Sequence, residues 1–454
     1  MQCLGLDIGS SSIKGAVLDL KSGQVHSIVK EPFPEPIPGL PAGWFEIDPL
    51  EVVERSRRVI SQLLALAPEA KSVFLCGQMG GVVVVDENHR PVTNYLSWRD
   101  QRTLGPHFSG GNYLDAMRRD LVESLLGPQE DNEQLLWPLG NELKPGSTTS
   151  LLYWLCVNKV QLAGHFPASM GDFVVSQLTK TIPQMEPTQA IGLLDLRSGE
   201  IAISSAFFDW GIDRLWWQST ANAHIPIGTW TIDGRTLAVY PTLGDQQCAL
   251  RGAGLKLGDL SINVSTGSQV SCITREFIPG PYQSRFYFNG TYLNTITHLP
   301  AGRSLNALVE LLTALPSAHS IPLSNPWPII ARLAAEAPDG AGGLKCSLSF
   351  FDGPLGREGQ ISGITTENLT VGHLFRAAFE SMADNYERLA KILWPSGDWQ
   401  RVVLSGGLTQ SVPILRELIE RKFPGQVVES TATEETLLGL LDVAREVHLL
   451  SPRR

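Results

Sequence analysis

The sequence predicts a mixed α/β protein built from two similar halves. Residues 4–20 have the pattern of an apolar strand, a turn rich in glycine and serine, and a second apolar strand. Residues 260–275 repeat this design about half a chain later, and both halves combine strand patterns with amphipathic helical patterns. A chain of 454 residues is long enough for two or three domains. We therefore expect one domain over residues 1–250 and a second over residues 251–454.

The first half continues with a proline-rich stretch, residues 30–49, which we expect to be an extended loop because proline lacks an amide donor. Apolar residues at helical spacing predict a helix over 49–67. Short apolar runs predict strands within 71–78 and 81–92. This strand–strand–helix–strand order fits a mixed sheet.

Later segments alternate in the same way. We expect a helix over 148–163, a short helix over 207–218 with its tryptophans packed inside, and a strand-like segment over 237–255. In the second half, helical spacing predicts helices over 371–393 and 431–450, and residues 401–423 read as a strand, a glycine turn and a helix.

Composition restricts the class of protein. Hydrophobic residues make up 43% and charged residues 18%, which is ordinary for a globular protein. The net charge of -10 disfavours nucleic acid and anionic membrane as partners. The six cysteines form no Cys-x-x-Cys pair and no apolar run reaches membrane length, so we expect a cytoplasmic protein with reduced thiols.

The common nucleotide signatures are missing. The chain has no Gly-Lys dipeptide for a Walker loop, no Gly-x-Gly-x-x-Gly after a strand and no Gly-x-Ser-x-Gly elbow. A nucleotide would have to be bound by another type of loop.

The opening hairpin is a candidate for such a loop. Asp7 ends its first strand, and Gly9, Ser10, Ser11 and Ser12 form the turn. Turn amides and hydroxyls can bind an anion, and a carboxylate oxygen suits Mg²⁺. The alternative is a surface hairpin whose aspartate stabilises its own turn, and this stretch alone does not decide between them.

Two further turns favour the phosphate interpretation. "STGS" places Ser265, Thr266 and Gly267 in an equivalent turn in the second half. "LSGGLTQS" places Gly406 and Gly407 between a strand and a helix, where bare backbone can approach a base or a ribose. Taken alone, the latter is also a common strand–helix turn.

The order of these three turns resembles that of the actin–hexokinase–Hsp70 superfamily of ATPases. Within it the chain resembles the FGGY carbohydrate kinases, since further stretches match family motifs in the right order: "GQMGGVVVVDENHRPVTNYLSWRDQRT", "PTLGDQQCALRGAGLKLGD" and "SGITTENLTVGHLFRAAFE". The resemblance covers nearly the whole chain. The stretch that begins "NVSTGSQV" is most similar to sedoheptulokinase-like members.

The resemblance implies two actin-like (ribonuclease H-like) α/β domains with the active site in the cleft between them. It implies ATP and Mg²⁺ as cofactors, and Asp245 as the general base that takes a proton from a sugar hydroxyl. Without the resemblance, Asp245 would read equally well as a helix cap. Asp7 would hold Mg²⁺, and the residues expected to bind ATP are Gly9, Ser10, Ser11, Lys14, Thr266, Gly267, Gly406, Gly407 and Ser411. For Lys14, an exposed lysine on a strand is almost as good an interpretation as a phosphate contact.

The sugar-side motifs imply a second set of residues. The candidates that would contact the sugar are Gln78, Met79, Trp98, Asp100 and Gln246. A tryptophan face can cover the C–H side of a sugar, while aspartate and glutamine bond its hydroxyls. Each could instead serve packing or loop structure. Arg102 is expected to orient its neighbours, and Glu434 to begin the last helix.

One position departs from the family pattern. Xylulokinase-like members carry Gly-Gln-Met-His-Gly, whereas this chain has "GQMGG", with Gly80 in place of the histidine. The missing side chain predicts a larger pocket or a contact supplied from elsewhere. A longer ketose such as sedoheptulose is therefore the expected substrate, with xylulose or a polyol as alternatives. Glycerol is disfavoured, since glycerol kinases carry Arg-Glu where Met79 and Gly80 stand.

The predicted function is ATP-dependent phosphorylation of a sugar hydroxyl by a phosphotransferase with an alcohol acceptor. One alternative is a weakly catalytic ATP-binding sensor, which the presence of both Asp7 and Asp245 argues against. Another is an actin-like polymerising protein, in which the sugar-side motifs would have no purpose. The expected partner is a small sugar, with no nucleic acid or membrane. The oligomeric state is left open.

Overall fold

The computed structural model describes residues 1–126, 133–201, 209–321, 324–430 and 432–450. The chain forms two compact units, and the first of them is assembled from three separate segments. The first unit comprises Met1–Ala253, Glu276–Tyr292 and Ala432–Arg454, and the second comprises Gly254–Arg275 and Leu293–Thr431. The predicted domain boundary at residue 250 stays a prediction.

Strands and helices alternate through both units. The strands are β1 Gln2–Ile8, β2 Ser12–Asp19, β3 Gln24–Pro32, β4 Glu46–Ile47, β5 Ser72–Gly77, β6 Val83–Val85, β7 Tyr95–Leu96, β8 Phe166–Ala168, β9 Gly228–Ile232, β10 Arg235–Gly244, β11 Leu260–Val264, β12 Ser268–Thr274, β13 Gln283–Phe286, β14 Tyr292–Leu299, β15 Lys345–Ser347, β16 Gln360–Ser362, β17 Val402–Ser405 and β18 Val427–Glu429. The α-helices are α1 Pro49–Leu66, α2 Tyr113–Leu126, α3 Thr148–Val157, α4 Met170–Thr179, α5 Asp245–Gly252, α6 Gly302–Ala318, α7 Trp327–Glu336, α8 Val371–Leu393, α9 Gly407–Ser411, α10 Pro413–Lys422 and α11 Glu435–Arg445. Single 3₁₀ turns lie at Arg102–Leu104 and Ile212–Arg214, and a π-helical turn at Glu446–Leu450 follows α11.

The main sheet of the first unit has the strand order β3-β2-β1-β5-β10-β9. β1 pairs with β2 antiparallel, while β1, β5 and β10 run parallel to one another. Strands β1 and β5 carry apolar side chains on both faces, which is the pattern of a sheet covered by helices on both sides.

The alternation of side chains along β1 determines where each residue points. Leu4, Leu6 and Ile8 join the core formed with α1 and α4. Cys3 joins the core on the other face, formed with α11. Because side chains alternate along a strand, Asp7 shares the face of Cys3 and points toward α11.

Helices α5 and α11 approach very closely in the first unit. A Cβ atom on Gly439 of α11 would lie 2.0 Å from the Cys248 carbonyl oxygen of α5. A Cβ on Gly252 would lie 1.9 Å from the Glu435 carbonyl oxygen. Only glycine permits this approach, which holds together the helix that begins at Asp245 and the helix that carries Thr436.

The second unit repeats this arrangement. Its sheet contains β14, β12, β11, β17 and β18 in that order, with β11 and β12 antiparallel and β11, β17 and β18 parallel. Helix α8 follows its predicted bounds, residues 371–393, and packs against α7 and α10. Thr370 caps it by accepting a hydrogen bond from the amide of His373.

Most predicted elements are confirmed, including both hairpins and the helix over 49–66. Several predictions were wrong in part, and the helix predicted over 148–163 ends at Val157. The loop predicted over 30–49 begins inside β3 and contains β4. The segment 237–255 is a strand followed by α5. Within the described part of the predicted helix 207–218, residues 209–210 are helical and Ile212–Arg214 form a 3₁₀ turn, while Trp216 is 48% exposed rather than packed inside.

Among the described residues, no helix has the length and apolar character needed to cross a membrane.

We predict that Gly439→Ala destabilises the first unit. The added methyl group would push α11 away from the backbone of α5, and overpacking of this kind costs about 1–3 kcal/mol. The melting temperature should fall clearly. Gly407→Ala is the matched control, because a Cβ on this helical glycine meets no atom within 4 Å outside its own helix in the part of the chain that the structure describes. Equal melting temperatures for the two variants would contradict the prediction.

Candidate functional site

Three parallel strands of the first unit end in one row. Ile8 of β1 and Gly244 of β10 are both aligned with Gly77 of β5. Asp7 lies just before this row, while Gln78 and Asp245 lie just after it. The carboxyl edge of a parallel sheet is where ligands bind in open α/β folds. The register therefore brings three of the predicted site residues to one edge.

Asp7 is buried with one carboxylate oxygen partnered and one not. It is 7% exposed, and its Oδ2 accepts a hydrogen bond of 2.8 Å from the Thr436 hydroxyl of α11. Its Oδ1 is buried and has no hydrogen-bond partner among the described residues. Burial raises the pKa of Asp7, although the Thr436 hydroxyl and the Lys14 ammonium act in the opposite direction. An unpartnered carboxylate oxygen of this kind is suited to a cation.

The turn after Asp7 is closed by its own backbone. The Gly9 amide donates to the Ser12 carbonyl at 3.1 Å, so it serves the turn and not an open nest as the sequence suggested. A Cβ on Gly9 would lie 3.1 Å from the same carbonyl. The side chains of Ser10 and Ser11 form no hydrogen bond within the described part of the chain, which leaves their hydroxyls available at the tip.

Lys14 lies opposite Asp7 on β2. Its ammonium forms an ion pair of 3.1 Å with Glu434, the residue before α11. Glu434 was expected to begin the last helix as an acid near the helix N-terminus. It occupies the N-cap position without a side-chain capping bond, and its carboxylate binds Lys14 instead.

Asp245 is the first residue of α5, directly after the N-cap residue Gly244. Its Oδ1 accepts a hydrogen bond of 2.7 Å from the Gln246 amide. Burial, with a further contribution from the charge of Asp7, raises the pKa of Asp245 to about 7. The side chain is half-buried, so it is reachable from solvent. A carboxylate with this pKa can accept a proton near neutral pH.

Gln78 and Met79 follow β5 and lie near Gly244. Gln78 is 4% exposed, and both polar atoms of its side chain are buried with no partner in the described ranges. A buried amide without partners costs about 1–3 kcal/mol, so a ligand that bonds it would be favoured. Met79 is half-buried, and a Cβ on Gly244 would come within 2.8 Å of its sulfur.

Trp98 and Asp100 have different environments although they lie two residues apart. Trp98 is 38% exposed and can present its ring to a ligand. Asp100 is fully buried, and its carboxylate accepts bonds from the Phe45 amide at 2.7 Å and from Arg102 at 2.8 Å and 2.9 Å. Its oxygens are used by protein donors, so we assign Asp100 a structural role in place of the predicted sugar contact. Arg102 also pairs with Glu46 at 2.6 Å, which fits the orienting role expected for it.

Gln246 belongs to a buried polar network that the sequence analysis missed. Its side-chain oxygen accepts a hydrogen bond from Arg285, and the Arg285 Nε is 2.5 Å from a Glu142 carboxylate oxygen. Burial tends to raise the pKa of Glu142, but the charges of Arg285 and Lys144 hold it below its ordinary value. The one available signal was Arg285 itself, a single charge inside the aromatic strand segment "YQSRFYF".

Gly80 does not open additional space. Its φ is +76°, and a Cβ there would lie 3.2 Å from the Gly146 carbonyl oxygen and 3.3 Å from the Cβ of Trp98. The expectation of a larger pocket at this position was therefore wrong, because neighbouring backbone and Trp98 fill the place. A histidine would be strained as well as crowded here.

In the second unit, the turn between β11 and β12 is exposed at Thr266 and Gly267. The first amides of α6 hold this turn, since Gly302 donates to the Ser265 carbonyl at 3.1 Å and Arg303 donates to the Thr266 carbonyl at 2.8 Å. Backbone atoms of the turn thus lie at a helix N-terminus, where the local dipole favours an anion.

The glycine turn after β17 lies beside the end of β11. Asn263 of β11 is aligned with Ser405 of β17, and their side chains are hydrogen-bonded at 2.8 Å. Gly406 has a φ of +98°, and a Cβ there would lie 2.2 Å from the Val264 carbonyl oxygen. Around Gly407 a Cβ would meet no described residue outside its own turn within 4 Å, so the backbone there is open to a ligand. The Ser411 hydroxyl donates to the Gly407 carbonyl at 2.9 Å.

The donor set of the first unit fits a hydrated magnesium ion. Among the described residues, no three His, Cys, Asp or Glu side chains cluster as a metal site. Mg²⁺ commonly uses one or two carboxylates, several waters and the phosphates of a substrate. Asp7, with one free buried oxygen, could supply such a carboxylate.

Comparison with known proteins finds similarity to carbohydrate kinases. Residues 2–168 match the model of the FGGY family of carbohydrate kinases, N-terminal domain. The chain is 26% identical over 364 residues to a xylulose kinase of Staphylococcus epidermidis, covering 75% of this chain and 66% of that protein. It is 21% identical over 473 residues of alignment to the gluconokinase of Bacillus subtilis, covering 96% and 85%. The solved structure of xylulose kinase from Rhodospirillum rubrum superposes with a TM-score of 0.80 and 21% identity, over 98% and 90% of the two chains.

Residues 2–168 are thus similar to the N-terminal domain of the FGGY carbohydrate kinases, and the relatives that span more of the chain are named as kinases of xylulose and gluconate. The prediction of a mixed α/β fold with two sheet-containing units is confirmed by the structural match. The family consists of phosphotransferases with an alcohol group as acceptor, and the predicted enzyme class is confirmed at that level. None of these comparisons tests the individual site residues.

We predict that Asp245 lowers stability as the pH rises. An unfolded aspartate has a pKa of about 3.9, whereas the folded pKa of Asp245 is about 7. Between these values the folded protein keeps a proton that the unfolded chain has lost. The stability that Asp245 contributes therefore falls with rising pH, by about 1 kcal/mol per pH unit.

The measurement compares melting temperatures of the wild type and Asp245→Asn from pH 4 to pH 8. The wild type should lose stability relative to the variant across this interval. A difference that does not change with pH would show that the carboxylate has no raised pKa.

Proposed function

We propose that the protein is an ATP-dependent kinase that transfers the γ-phosphoryl group to a hydroxyl of a sugar. The observation that carries the proposal is the shared edge of β1, β5 and β10. At this edge lie the buried Asp7 carboxylate, the buried Gln78 amide and the Asp245 carboxylate, whose pKa is raised. One oxygen of Asp7 and both polar atoms of Gln78 have no partner among the described residues.

Asp245 is the proposed general base. A sugar hydroxyl is a weak nucleophile, and a carboxylate that is partly ionised at neutral pH can take its proton as the phosphoryl group arrives. The hydrogen bond from the Gln246 amide holds Oδ1, which leaves Oδ2 to face the hydroxyl. The pKa of about 7 suits this role, since a more acidic carboxylate would accept the proton less readily.

Asp7 is the proposed residue for Mg²⁺, through its free Oδ1 or through water. Bound Mg²⁺ would supply neutralisation of the charge on the phosphates of ATP. The Ser10 and Ser11 hydroxyls are the proposed phosphate contacts of the first unit, with Gly9 shaping their turn. Lys14 is paired with Glu434, so it could contact a phosphate only after this ion pair is broken.

The second unit, taken by itself, supplies the other proposed nucleotide contacts. We propose that Thr266 and Gly267 contact phosphate, because they form an exposed turn at the start of α6. Gly406 and Gly407 are proposed to face the adenosine, where backbone without side chains is open at Gly407. Ser411 is proposed to help line the same surface.

Gln78, Met79, Trp98 and Gln246 are the proposed sugar contacts. Gln78 gives the clearest support, since its buried amide lacks partners among the residues that the structure describes. Gln246 would be held by Arg285 while it bonds a hydroxyl. Asp100 is left out for the reason given above.

For the substrate, we propose a ketose phosphorylated on a primary hydroxyl, with xylulose as the first candidate. The sequence favoured sedoheptulose because glycine at position 80 predicted a larger pocket. The atoms close to Gly80 do not support a larger pocket, so this argument for sedoheptulose no longer holds. The relatives reported above are named for xylulose and gluconate, and sedoheptulose gains no support from them. Gluconate, sedoheptulose and a polyol are the alternatives to be tested beside xylulose.

We predict sugar-dependent release of ADP that requires Asp245. A coupled assay with ATP and Mg²⁺ would be run over xylulose, sedoheptulose, gluconate and glycerol. Asp245→Asn should lower kcat about 10²- to 10⁴-fold, the usual contribution of a general base. For the wild type, kcat/KM should rise with pH through about 7, since the base must be ionised.

The outcomes separate the alternatives. If no sugar raises ADP release above the level of Asp245→Asn, the kinase proposal fails. ATP binding without any sugar-dependent turnover would favour the sensor hypothesis. A preference for gluconate would keep the reaction and change the substrate.

We also predict that Gln78→Met raises stability and lowers activity. Removing an unpartnered buried amide relieves its desolvation cost, so the melting temperature without ligand should rise. The same change should lower kcat/KM for the sugar about tenfold or more. Gln177→Met is the matched control, because the Gln177 amide donates to the His89 carbonyl and its loss should cost stability. A fall in stability for Gln78→Met would indicate a structural role.

A further inference from the structure

Behind the carboxyl edge of the first sheet lies a short buried segment, Glu186-Pro187-Thr188-Gln189, here called the 186–189 brace. Thr188 and Gln189 are each 1% exposed and Glu186 is 7% exposed. None of them was a candidate in the sequence analysis. The side chains of Thr188 and Gln189 bond backbone groups at strand ends, and the Glu186 carboxylate bonds Thr188.

Thr188 holds the residue that precedes Asp245. Its hydroxyl oxygen accepts a hydrogen bond of 2.8 Å from the Gly244 amide, and its proton is donated to the Glu186 carboxylate. The Glu186 carboxylate also accepts from the Thr188 amide at 2.7 Å. A hydroxyl has one proton, so donating it to Glu186 turns a lone pair toward Gly244. Glu186 thereby fixes the orientation of the Thr188 hydroxyl.

Gln189 ties two strand ends together with one amide group. Its Nε2 donates to the Gly77 carbonyl at 3.0 Å and to the Leu243 carbonyl at 2.7 Å. Gly77 precedes Gln78, and Leu243 lies two residues before Asp245. A single side chain therefore sets the spacing between the strand that leads to the proposed sugar contact and the strand that leads to the proposed base.

The connection is closed by α5 itself. The Gln247 side-chain amide donates to the Thr188 carbonyl at 3.4 Å and to the Phe286 carbonyl at 3.2 Å. Backbone before Asp245 and a side chain just after it are thus both bound to the brace. At 1% exposure Thr188 and Gln189 have no access to a ligand, so they can act only through the residues they hold.

We propose that Thr188 and Gln189 are positioning residues that hold the Asp245 carboxylate and the Gln78 side chain in their working geometry. The inference rests on the proposed kinase function. A displacement of about 1 Å in a reacting group can cost about 10²-fold in rate, so the brace should affect turnover more than substrate binding.

The experiment compares Thr188→Val with Thr188→Ser in the full-length protein. Thr188→Val keeps the shape and removes the hydroxyl, and kcat should fall about 10- to 100-fold while KM for ATP changes less than about threefold. Thr188→Ser restores the hydroxyl and should return kcat to within about threefold of the wild type. Gln189→Met is a second variant that removes both bridging bonds, in case Thr188→Val folds poorly.

The matched control is Thr103→Val. Thr103 is fully buried in the same unit and its hydroxyl donates to the Pro145 carbonyl at 3.0 Å, away from the brace. It should lose a similar amount of stability and keep the wild-type kcat. Equal losses of kcat for Thr103→Val and Thr188→Val would show that the brace only supports the fold in general, and would overturn the proposal.

A second readout does not depend on activity. Hydrogen–deuterium exchange followed by mass spectrometry should show faster exchange over residues 243–247 in Thr188→Val, with protection restored in Thr188→Ser. Unchanged exchange would overturn the proposal that the brace positions Asp245, even if the wild type is an active kinase. If Thr188→Val exchanges faster over residues 243–247 but the wild type shows no sugar-dependent turnover, the brace still positions Asp245 and the kinase function is refuted.

Discussion

The register of three parallel strands is the constraint on which the first unit depends. β1, β5 and β10 are aligned so that Ile8, Gly77 and Gly244 end in one row. A shift of one residue in β1 would turn Asp7 into the core shared by Leu4 and Leu6, and would turn an apolar side chain to the edge. The apolar alternation that fills the core therefore also fixes where the carboxylate emerges.

This strand register brings several polar groups to one buried edge, where their desolvation costs free energy. Asp7 and Asp245 both have raised pKa values, chiefly because each is desolvated, and the charge of Asp7 further opposes ionisation of Asp245. Gln78 adds a side-chain amide that has no partner within the described ranges. Glu186, whose pKa burial raises to about 7, lies behind the same edge. Such groups lower the stability of a fold without ligand, and a cation, a phosphate or a hydroxyl would offset the cost.

Close helix packing connects the two ends of the chain to this edge. The glycines of α5 and α11 allow the helix that begins at Asp245 and the helix that carries Thr436 to touch backbone to backbone. Thr436 then reaches Asp7, and Glu434 reaches Lys14. The C-terminal helix is thus part of the first unit, although the sequence places it after the whole second half.

Local patterns were sufficient for the hairpins and for helix α8, because strand and helix periodicity and turn composition depend on near neighbours. They also carried the family resemblance. They were not sufficient for Asp100, whose carboxylate is used by Phe45 and Arg102, or for Gly80, where Gly146 and Trp98 fill the space. The Arg285–Glu142 pair and the 186–189 brace were not predicted either.

The sequence by itself determined the class of fold, the order of its elements and the chemical types of residue at the strand ends. Only the tertiary structure decided which of those polar groups are bonded to protein and which are left for a ligand. The physical reason is that a hydrogen bond between residues as distant as Thr188 and Gly244 depends on where the chain returns in space, and no local pattern records that.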